Sequence, residues 1–199
     1  MSQFDVSGMP AGLAALISRA GGNARGNPPV DKWNPPFCGD LDIRIARDGS
    51  WSYLGSPIQR EALVRLFASV LRKDEDDRHY LVTPVEKIGI TVEDVAFLGV
   101  ELHCEGNGEG KVLTLRTNVG DVVRVDAEHP LRFQVDPENG GLLPYVLVRG
   151  RLEALLSRPL LYQLVDLLEE KEQADTMHTG IWSAGTFFSL APEILSQTG

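Results

Sequence analysis

The chain has 199 residues, of which 43% are hydrophobic and 24% charged, a composition typical of one large or two small globular domains. Its net charge of −9 argues against extended nucleic acid as a partner, because nonspecific binding to DNA or RNA depends on basic groups. Two cysteines, Cys38 and Cys104, are too few for a disulfide framework, and the apolar runs are too short to span a membrane. We therefore expect a cytoplasmic protein without membrane association.

Residues 1–36 are predicted to form an arm or linker that contains one short helix. Residues 9–19 place apolar side chains on one face, and Gly21 and Gly22 are expected to end that helix. The proline pairs that follow disfavour regular structure. Trp33 is interpreted as an anchor that holds this arm on the folded body.

Residues 37–94 are predicted to form a first α+β half. Period-two alternation predicts strands at residues 42–46, 51–53, 80–83 and 88–92. Ser56, followed by Pro57 and by Gln59, resembles a capping box and predicts a helix that starts at Ser56. An apolar stripe continues this helix to Leu71.

Residues 95–199 are predicted to form the second half, which begins with an antiparallel meander. Turn residues separate strands at residues 97–104, 111–118, 121–125 and 131–135. A strand at 145–151, a leucine-rich helix at 159–170 and a strand at 180–190 with a kink at Gly185 follow. Since strands and helices are mixed without long crossovers in the meander, the predicted fold class is α+β, mostly antiparallel, with one amphipathic helix in each half.

The two halves share a faint internal similarity. Residues 43–67 align without a gap on residues 145–169, with four identical pairs among 25. Both copies carry an apolar strand, an arginine, a second apolar stretch and a proline before a helix. The pattern indicates either an internal duplication or two units that share only a common strand-strand-helix order. A duplication would place the functional site between the halves.

No motif predicts catalytic residues, a metal site or a cofactor. The four histidines lack the spacing of metal ligands. The glycine-rich residues 106–111 lack the spacing of a phosphate loop and are interpreted as a hairpin turn.

Arginines beside aromatic residues are the candidate binding groups. Arg47 shares a strand face with Ile43 and Ile45, and a planar guanidinium there could grip a phosphate or a carboxylate from two sides. The alternative is an internal carboxylate partner or simple exposure at a strand end. For the tryptophans, stacking on a base competes with core packing. The candidate ligand-binding residues are Arg44, Arg47, Trp51, Lys87, Arg149, Arg151 and Trp182.

These residues favour a non-catalytic module that binds a small anionic, nucleotide-like ligand in the cleft between the halves. One alternative is a protein-interaction or scaffolding module, or a homo-oligomer, which would use an exposed apolar patch on the helix at residues 160–168. An enzyme of an unrecognised class ranks third, because it would need convergent titratable groups in one pocket.

Several strings are specific enough to indicate a family. They are residues 38–51, 55–58, 80–87, 148–154, 158–160 and 180–185. With them, most of the chain resembles an uncharacterised bacterial family, domain-of-unknown-function family 1285, while residues 1–36 lie largely outside the likeness. The resemblance implies a duplicated α+β core, a C-terminal half superficially like a pleckstrin-homology fold, and a ligand site at the domain interface for a nucleotide-like molecule in signalling. It implies no catalytic residues.

Overall fold

In the computed structural model, which describes residues 10–19, 27–173 and 176–190, the chain divides into two compact units, Met1–Asp94 and Val95–Gly199. Each unit contains a six-stranded sheet in which one pair of strands is parallel and the other pairs are antiparallel. The predicted α+β class with two related halves is confirmed.

Among its described residues, 10–19 and 27–94, the first unit has one sheet and two α-helices. The elements are α1 (Ala11–Arg19), β1 (Phe37–Ile45), β2 (Trp51–Tyr53), β3 (Ser56–Pro57), α2 (Glu61–Ser69), β4 (Leu71–Lys73), β5 (His79–Val82) and β6 (Lys87–Val92). The sheet order is β3-β2-β1-β6-β5-β4, with β1 and β6 parallel. The predicted strands and the predicted N-terminal helix are present, although Gly21 and Gly22 lie outside the described residues.

The core of the first unit lies between one face of this sheet and α2. Ile43, Ile45 and Trp51 alternate with more exposed neighbours, and their side chains point to the same face. The ring of Trp51 stacks on Phe67 of α2 with centroids 6.3 Å apart. The opposite face carries charged side chains such as Lys87 together with the buried Tyr80 and Val82.

The start of α2 differs from its prediction. Ser56 and Pro57 pair with Tyr53 and Ser52 as strand β3, and the helix begins only at Glu61. Leu54 and Gly55, with φ of 48° and 74°, form the turn that folds this segment back. Proline is tolerated because β3 is an edge strand. At the other end, α2 stops at Ser69, and Leu71, predicted to be helical, begins β4.

In the part of the second unit that the structure describes, there are two sheets and one α-helix. Its elements are β7 (Phe97–Glu105), β8 (Val112–Thr117), β9 (Val122–Arg124), β10 (Leu131–Val135), β11 (Leu142–Arg149), β12 (Leu152–Leu156), α3 (Arg158–Val165), β13 (Glu169–Gln173), β14 (Thr176–Ser183) and β15 (Thr186–Ser189). The larger sheet has the order β10-β11-β12-β7-β8-β9, and β13-β14-β15 form an antiparallel three-stranded sheet. The four predicted strands of the meander are present.

The C-terminal part of this unit contains more strand than predicted. Helix α3 ends at Val165, and residues 169–173, predicted in part as helix, form β13. The predicted single strand at residues 180–190 is a hairpin. Ala184 and Gly185 form its two-residue turn. Their φ values of 51° and 75° are typical of a turn that reverses the chain between twisted strands.

The internal similarity extends to the strands but not to the start of the helix. The hairpin β1-β2 corresponds in position to β11-β12, and both are antiparallel. Helix α3 begins at Arg158, one residue before Pro159, whereas the corresponding Ser56 and Pro57 lie in β3. The corresponding prolines therefore lie at the start of a helix in one unit and in an edge strand in the other.

Candidate functional site

Three of the arginines predicted to bind a ligand, Arg44, Arg47 and Arg149, have a described carboxylate neighbour. Arg44 lies 3.0 Å from Glu93, whose other carboxylate oxygen accepts a hydrogen bond from the backbone N–H of Arg47. The guanidinium of Arg47 lies 3.7 Å from Asp94. These contacts match the alternative of internal ion pairs, so a ligand role for Arg44 and Arg47 stays a prediction.

Arg149 makes a comparable contact in the second unit. Its guanidinium pairs with Asp121 and lies 4.8 Å from the ring centroid of Phe97. Arg151 follows in the turn between β11 and β12 and is exposed. Trp51 is only 2% exposed and packs in the first core. Lys87 and Trp182, in contrast, each belong to a cluster of cationic and aromatic side chains.

The first of these clusters lies on the face of the first sheet opposite to α2. Asp40 of β1, Gly89 of β6, Tyr80 of β5 and Arg72 of β4 are aligned in one row across the sheet. A Cβ at Gly89 would overlap the Asp40 carboxylate, so the missing side chain makes room for it. We call this set the Tyr80 cluster; it comprises Phe37, Asp40, Arg72, Asp74, Asp76, Arg78, Tyr80 and Lys87.

Every cation of the Tyr80 cluster is paired with a carboxylate. Arg72 and Lys87 share Asp74, and Arg78 pairs with Asp40. Arg78 and Lys87 also lie over the Tyr80 ring, 5.4 Å and 4.5 Å from its centroid. Three cations therefore face three carboxylates, and the cluster has no net charge.

Hydrogen bonds hold this charge state in place. Partial burial disfavours the charged form of Asp74, which by itself would raise its pKa. Hydrogen bonds from Arg72 and Lys87 outweigh this effect, so the pKa of Asp74 is lowered. The Tyr80 hydroxyl group donates a hydrogen bond to the Asp76 carboxylate. This hydrogen bond lowers the pKa of Asp76 and raises that of Tyr80. The contact with Asp40 raises the pKa of Arg78. An external anion would have to displace these carboxylates.

The second cluster lies on one face of the three-stranded sheet. Trp182 of β14 is directly opposite Phe187 of β15, and their ring centroids are 5.1 Å apart. The ammonium of Lys171, from β13, lies 4.6 Å from the Trp182 centroid and 5.4 Å from that of Phe187. These distances are typical of cation–π contacts. We call this set the Trp182 cluster; it comprises Lys111, Glu169, Lys171, His178, Gly180, Trp182 and Phe187.

Gly180 allows the aromatic rings to approach the sheet. It lies two residues before Trp182 on the same face, beside Glu169 of β13. A Cβ at this position would lie 2.7 Å from the Phe187 ring and would overlap the Phe188 carbonyl oxygen. The glycine therefore lets Phe187 lie flat over β14, where it forms one wall around the lysine.

Lys171 has no carboxylate partner among the residues that the structure describes. The nearest acid on its own face, Glu169, is paired with the buried Lys111, which also donates to the backbone oxygen of Leu167. Glu170 and Glu172 alternate to the opposite face of β13. The Trp182 cluster thus holds one ammonium that aromatic rings contact but no described carboxylate neutralises.

Sequence reasoning found only parts of these clusters. The predicted residues include Lys87 and Trp182 but not Lys171 and Phe187, because the predicted helix covers residues 169–170 and residues 180–190 are predicted to form one strand. All five side chains from Glu169 to Gln173 are polar, so this segment lacks the apolar alternation that would have predicted a strand. The predicted apolar patch on α3 is also smaller than expected, since Leu160 and Leu164 are buried.

Within residues 10–19, 27–173 and 176–190, no group of three or more His, Cys, Asp or Glu side chains is placed to hold a metal ion. In the same part of the chain, no helix has the length and apolar character needed to cross a membrane.

Two sheet-based α+β units, each with a cation–aromatic cluster on a sheet face, define the class of this chain as a two-domain α+β protein. The chain belongs to the DUF1285 family. Residues 28–95 match the model described as "Domain of unknown function (DUF1285), N-terminal domain", and residues 96–190 match that described as "Protein of unknown function (DUF1285), C-terminal domain".

Two solved structures carry the same family name. A DUF1285 family protein from Silicibacter pomeroyi DSS-3 is 48% identical, with a TM-score of 0.82 over 91% of this chain and 97% of that one. One from Shewanella baltica OS155 is 25% identical, with a TM-score of 0.50 over 63% of this chain and 91% of the other. No curated protein matches the chain. The family resemblance expected from the sequence is therefore confirmed, and it brings no activity with it.

Proposed function

We propose that this protein is a non-catalytic module that binds a small anionic ligand with an aromatic ring, of the nucleotide type, at the Trp182 cluster. The observation that supports the proposal is the Lys171 ammonium, which lies over two aromatic rings and has no described carboxylate partner. A cation in this setting attracts an anionic group, while the half-buried Phe187 ring offers a surface on which a base can stack.

The aromatic contacts also prepare the lysine for binding. A lysine side chain that is free in solution loses rotamer freedom when it meets an anion, a cost of about 1.5–2 kcal/mol. Contacts with Trp182 and Phe187 already restrict Lys171 in the unliganded protein. Part of this entropy cost is therefore met during folding, which favours binding of a small ligand.

The ligand class is the one expected from the sequence, but the site proposed lies within the second unit. Arg44, Arg47 and Arg149 contact carboxylates, so an anion would compete with groups of the protein itself. Lys171 faces no such competitor among the described residues. A cytoplasmic location is part of the proposal, because the two free cysteines are consistent with a reducing compartment.

A thermal-shift and calorimetry series with AMP, cyclic AMP and cyclic di-GMP tests the proposal, with uncharged adenosine as the ligand control. At 100 times the Kd, a bound ligand stabilises the folded state by about 2.7 kcal/mol, which raises the Tm by roughly 5–10 °C for a chain of this size. Lys171→Met should abolish this shift.

Arg78→Met is the matched control variant. It also removes a cation that lies over two aromatic rings, but this cation is paired with Asp40 in the neutral Tyr80 cluster. The shift should persist in Arg78→Met. If no anion raises the Tm of the wild type, or if both variants respond like the wild type, the proposed site is wrong.

The second candidate function, a protein-interaction module, has support from two other side chains of α3. Tyr162 and Val165 are 59% and 46% exposed and lie three residues apart, on neighbouring positions of the helix surface. This patch is smaller than the one predicted for residues 160–168, of which Val165 is a member. Tyr162→Ser with Val165→Ser would weaken a complex captured through this helix, whereas Lys171→Met would leave that complex unchanged.

A further inference from the structure

We infer that the anionic group bound at the Trp182 cluster is a phosphate or phosphate monoester, and that His178 is the second side chain that contacts it. This inference rests on the proposed function and narrows its ligand class. It starts from the pairing of β13 and β14, in which Lys171 and His178 are direct partners. Directly opposed residues have Cβ atoms about 4.5–5.5 Å apart and point to the same face.

Neither side chain has a hydrogen-bond or ion-pair partner among the described residues. Lys171 contacts only the rings of Trp182 and Phe187, and His178 is half-buried without a hydrogen bond or ion pair to a described residue. Two basic side chains directly opposite each other are unfavourable when both are charged. A bound anion between them would remove that cost.

The other three histidines differ from His178 in this respect. His103 lies 3.2 Å from Glu105, and His129 lies 3.3 Å from Asp126. His79 is buried, and its burial lowers its pKa to about 4. His178 alone among the four, within the described residues, is half-buried beside an unpaired lysine. This juxtaposition distinguishes it from a histidine with a purely structural role.

The chemistry of imidazole and ammonium together favours phosphate over carboxylate. A phosphate monoester has three terminal oxygens and a second pKa of about 6, so that it can accept a proton or donate one at neutral pH. Imidazole can likewise donate or accept, which makes the two groups complementary in either protonation state. A carboxylate carries one negative charge on two oxygens, fewer than a phosphate monoester, so a second donor beside Lys171 adds less to its binding.

Calorimetric titrations with AMP, with adenosine-5′-carboxylate and with adenosine test this inference. We expect the wild type to bind AMP about tenfold more tightly than the carboxylate. His178→Gln should lose about tenfold in affinity for AMP and leave the affinity for the carboxylate unchanged. The control His103→Gln, at an exposed histidine of the same unit, should bind both ligands like the wild type.

The possible failures are distinguishable. If His178→Gln binds AMP like the wild type while Lys171→Met does not, this inference is wrong and the proposed function stands. If wild-type protein binds neither AMP nor the carboxylate, the proposed function fails, and this inference with it. Should His178→Gln fold poorly, titration of wild-type protein with inorganic phosphate while the His178 imidazole is followed by NMR replaces the variant; an unmoved His178 signal at saturation overturns the inference.

Discussion

The Tyr80 cluster and the Trp182 cluster use the same kinds of side chain with opposite electrostatic results. In both, a cation lies over aromatic rings on a sheet face, and a glycine on a neighbouring strand leaves room for the groups above it. In the Tyr80 cluster the cations are matched by Asp40, Asp74 and Asp76, whereas Lys171 has no such match among the described residues. The first arrangement is typical of a stabilised surface, and the second of a surface that can accept an anion.

The largest expected effect concerns the glycine of the Trp182 cluster. Gly180→Ala should destabilise the protein by about 3 kcal/mol, because the added methyl group meets the Phe188 backbone and the Phe187 ring. Gly110→Ala, where a methyl group meets no atom within 4 Å, is the control and should change stability little. Urea unfolding measures both. Equal stability of the two variants would show that Phe187 does not lie over Gly180.

His79 precedes Tyr80 on β5 and lies on the opposite, core side of the sheet. The pH dependence of stability tests this buried histidine. Burial, helped by Lys73, lowers the pKa of His79 from 6.5 to about 4. The unfolded chain therefore binds the extra proton first, so stability is complete above pH 6.5 and falls by about 3 kcal/mol as the pH drops towards 4.

His79→Gln should remove most of this slope in denaturant titrations between pH 6.5 and 4. The lowered pKa values of Asp74 and Asp76 start from 3.8 in the unfolded state, so their contribution is lost only at lower pH. Parallel pH profiles for the wild type and His79→Gln would contradict the prediction.

Removal of the shared carboxylate tests whether the Tyr80 cluster is a stabilising network. Asp74→Ala leaves the partly buried Arg72 and Lys87 without their common partner and should cost about 1.5 kcal/mol. The neighbouring Glu75→Ala, at an exposed position, is the matched control and should stay within about 0.5 kcal/mol of the wild type. Thermal unfolding of the two variants at pH 7 measures the difference in stability. If Asp74→Ala were as stable as the wild type, the contrast between the two clusters would be removed.

The smallest expected effect on stability is that of Lys171→Met. The substitution removes cation–π contacts at a half-buried position but leaves the apolar stem, so we expect a change of about 0.5 kcal/mol or less. The same variant should lose anion binding. A large loss of stability would instead indicate that Lys171 has a structural role like that of the cations in the Tyr80 cluster.

The sequence by itself determined the α+β class, the division into halves and most strands, because period-two alternation and turn residues are local signals. It also identified Lys87 and Trp182 as candidate residues. From the sequence alone, Ser56 and Pro57 resemble the start of a helix. They form strand β3 instead, because they pair with β2.

Only the tertiary structure decided which charges are neutralised. Glu169 is two residues from Lys171, yet it pairs with Lys111, which is 58 positions away. Arg78 and Asp40 are 38 positions apart and meet because β6 lies between β1, which carries Asp40, and β5, which Arg78 directly precedes. Ion pairs form between side chains that the fold brings together, and no local pattern records such distances. The contrast between a neutral cluster and a cationic one is therefore a property of the folded chain.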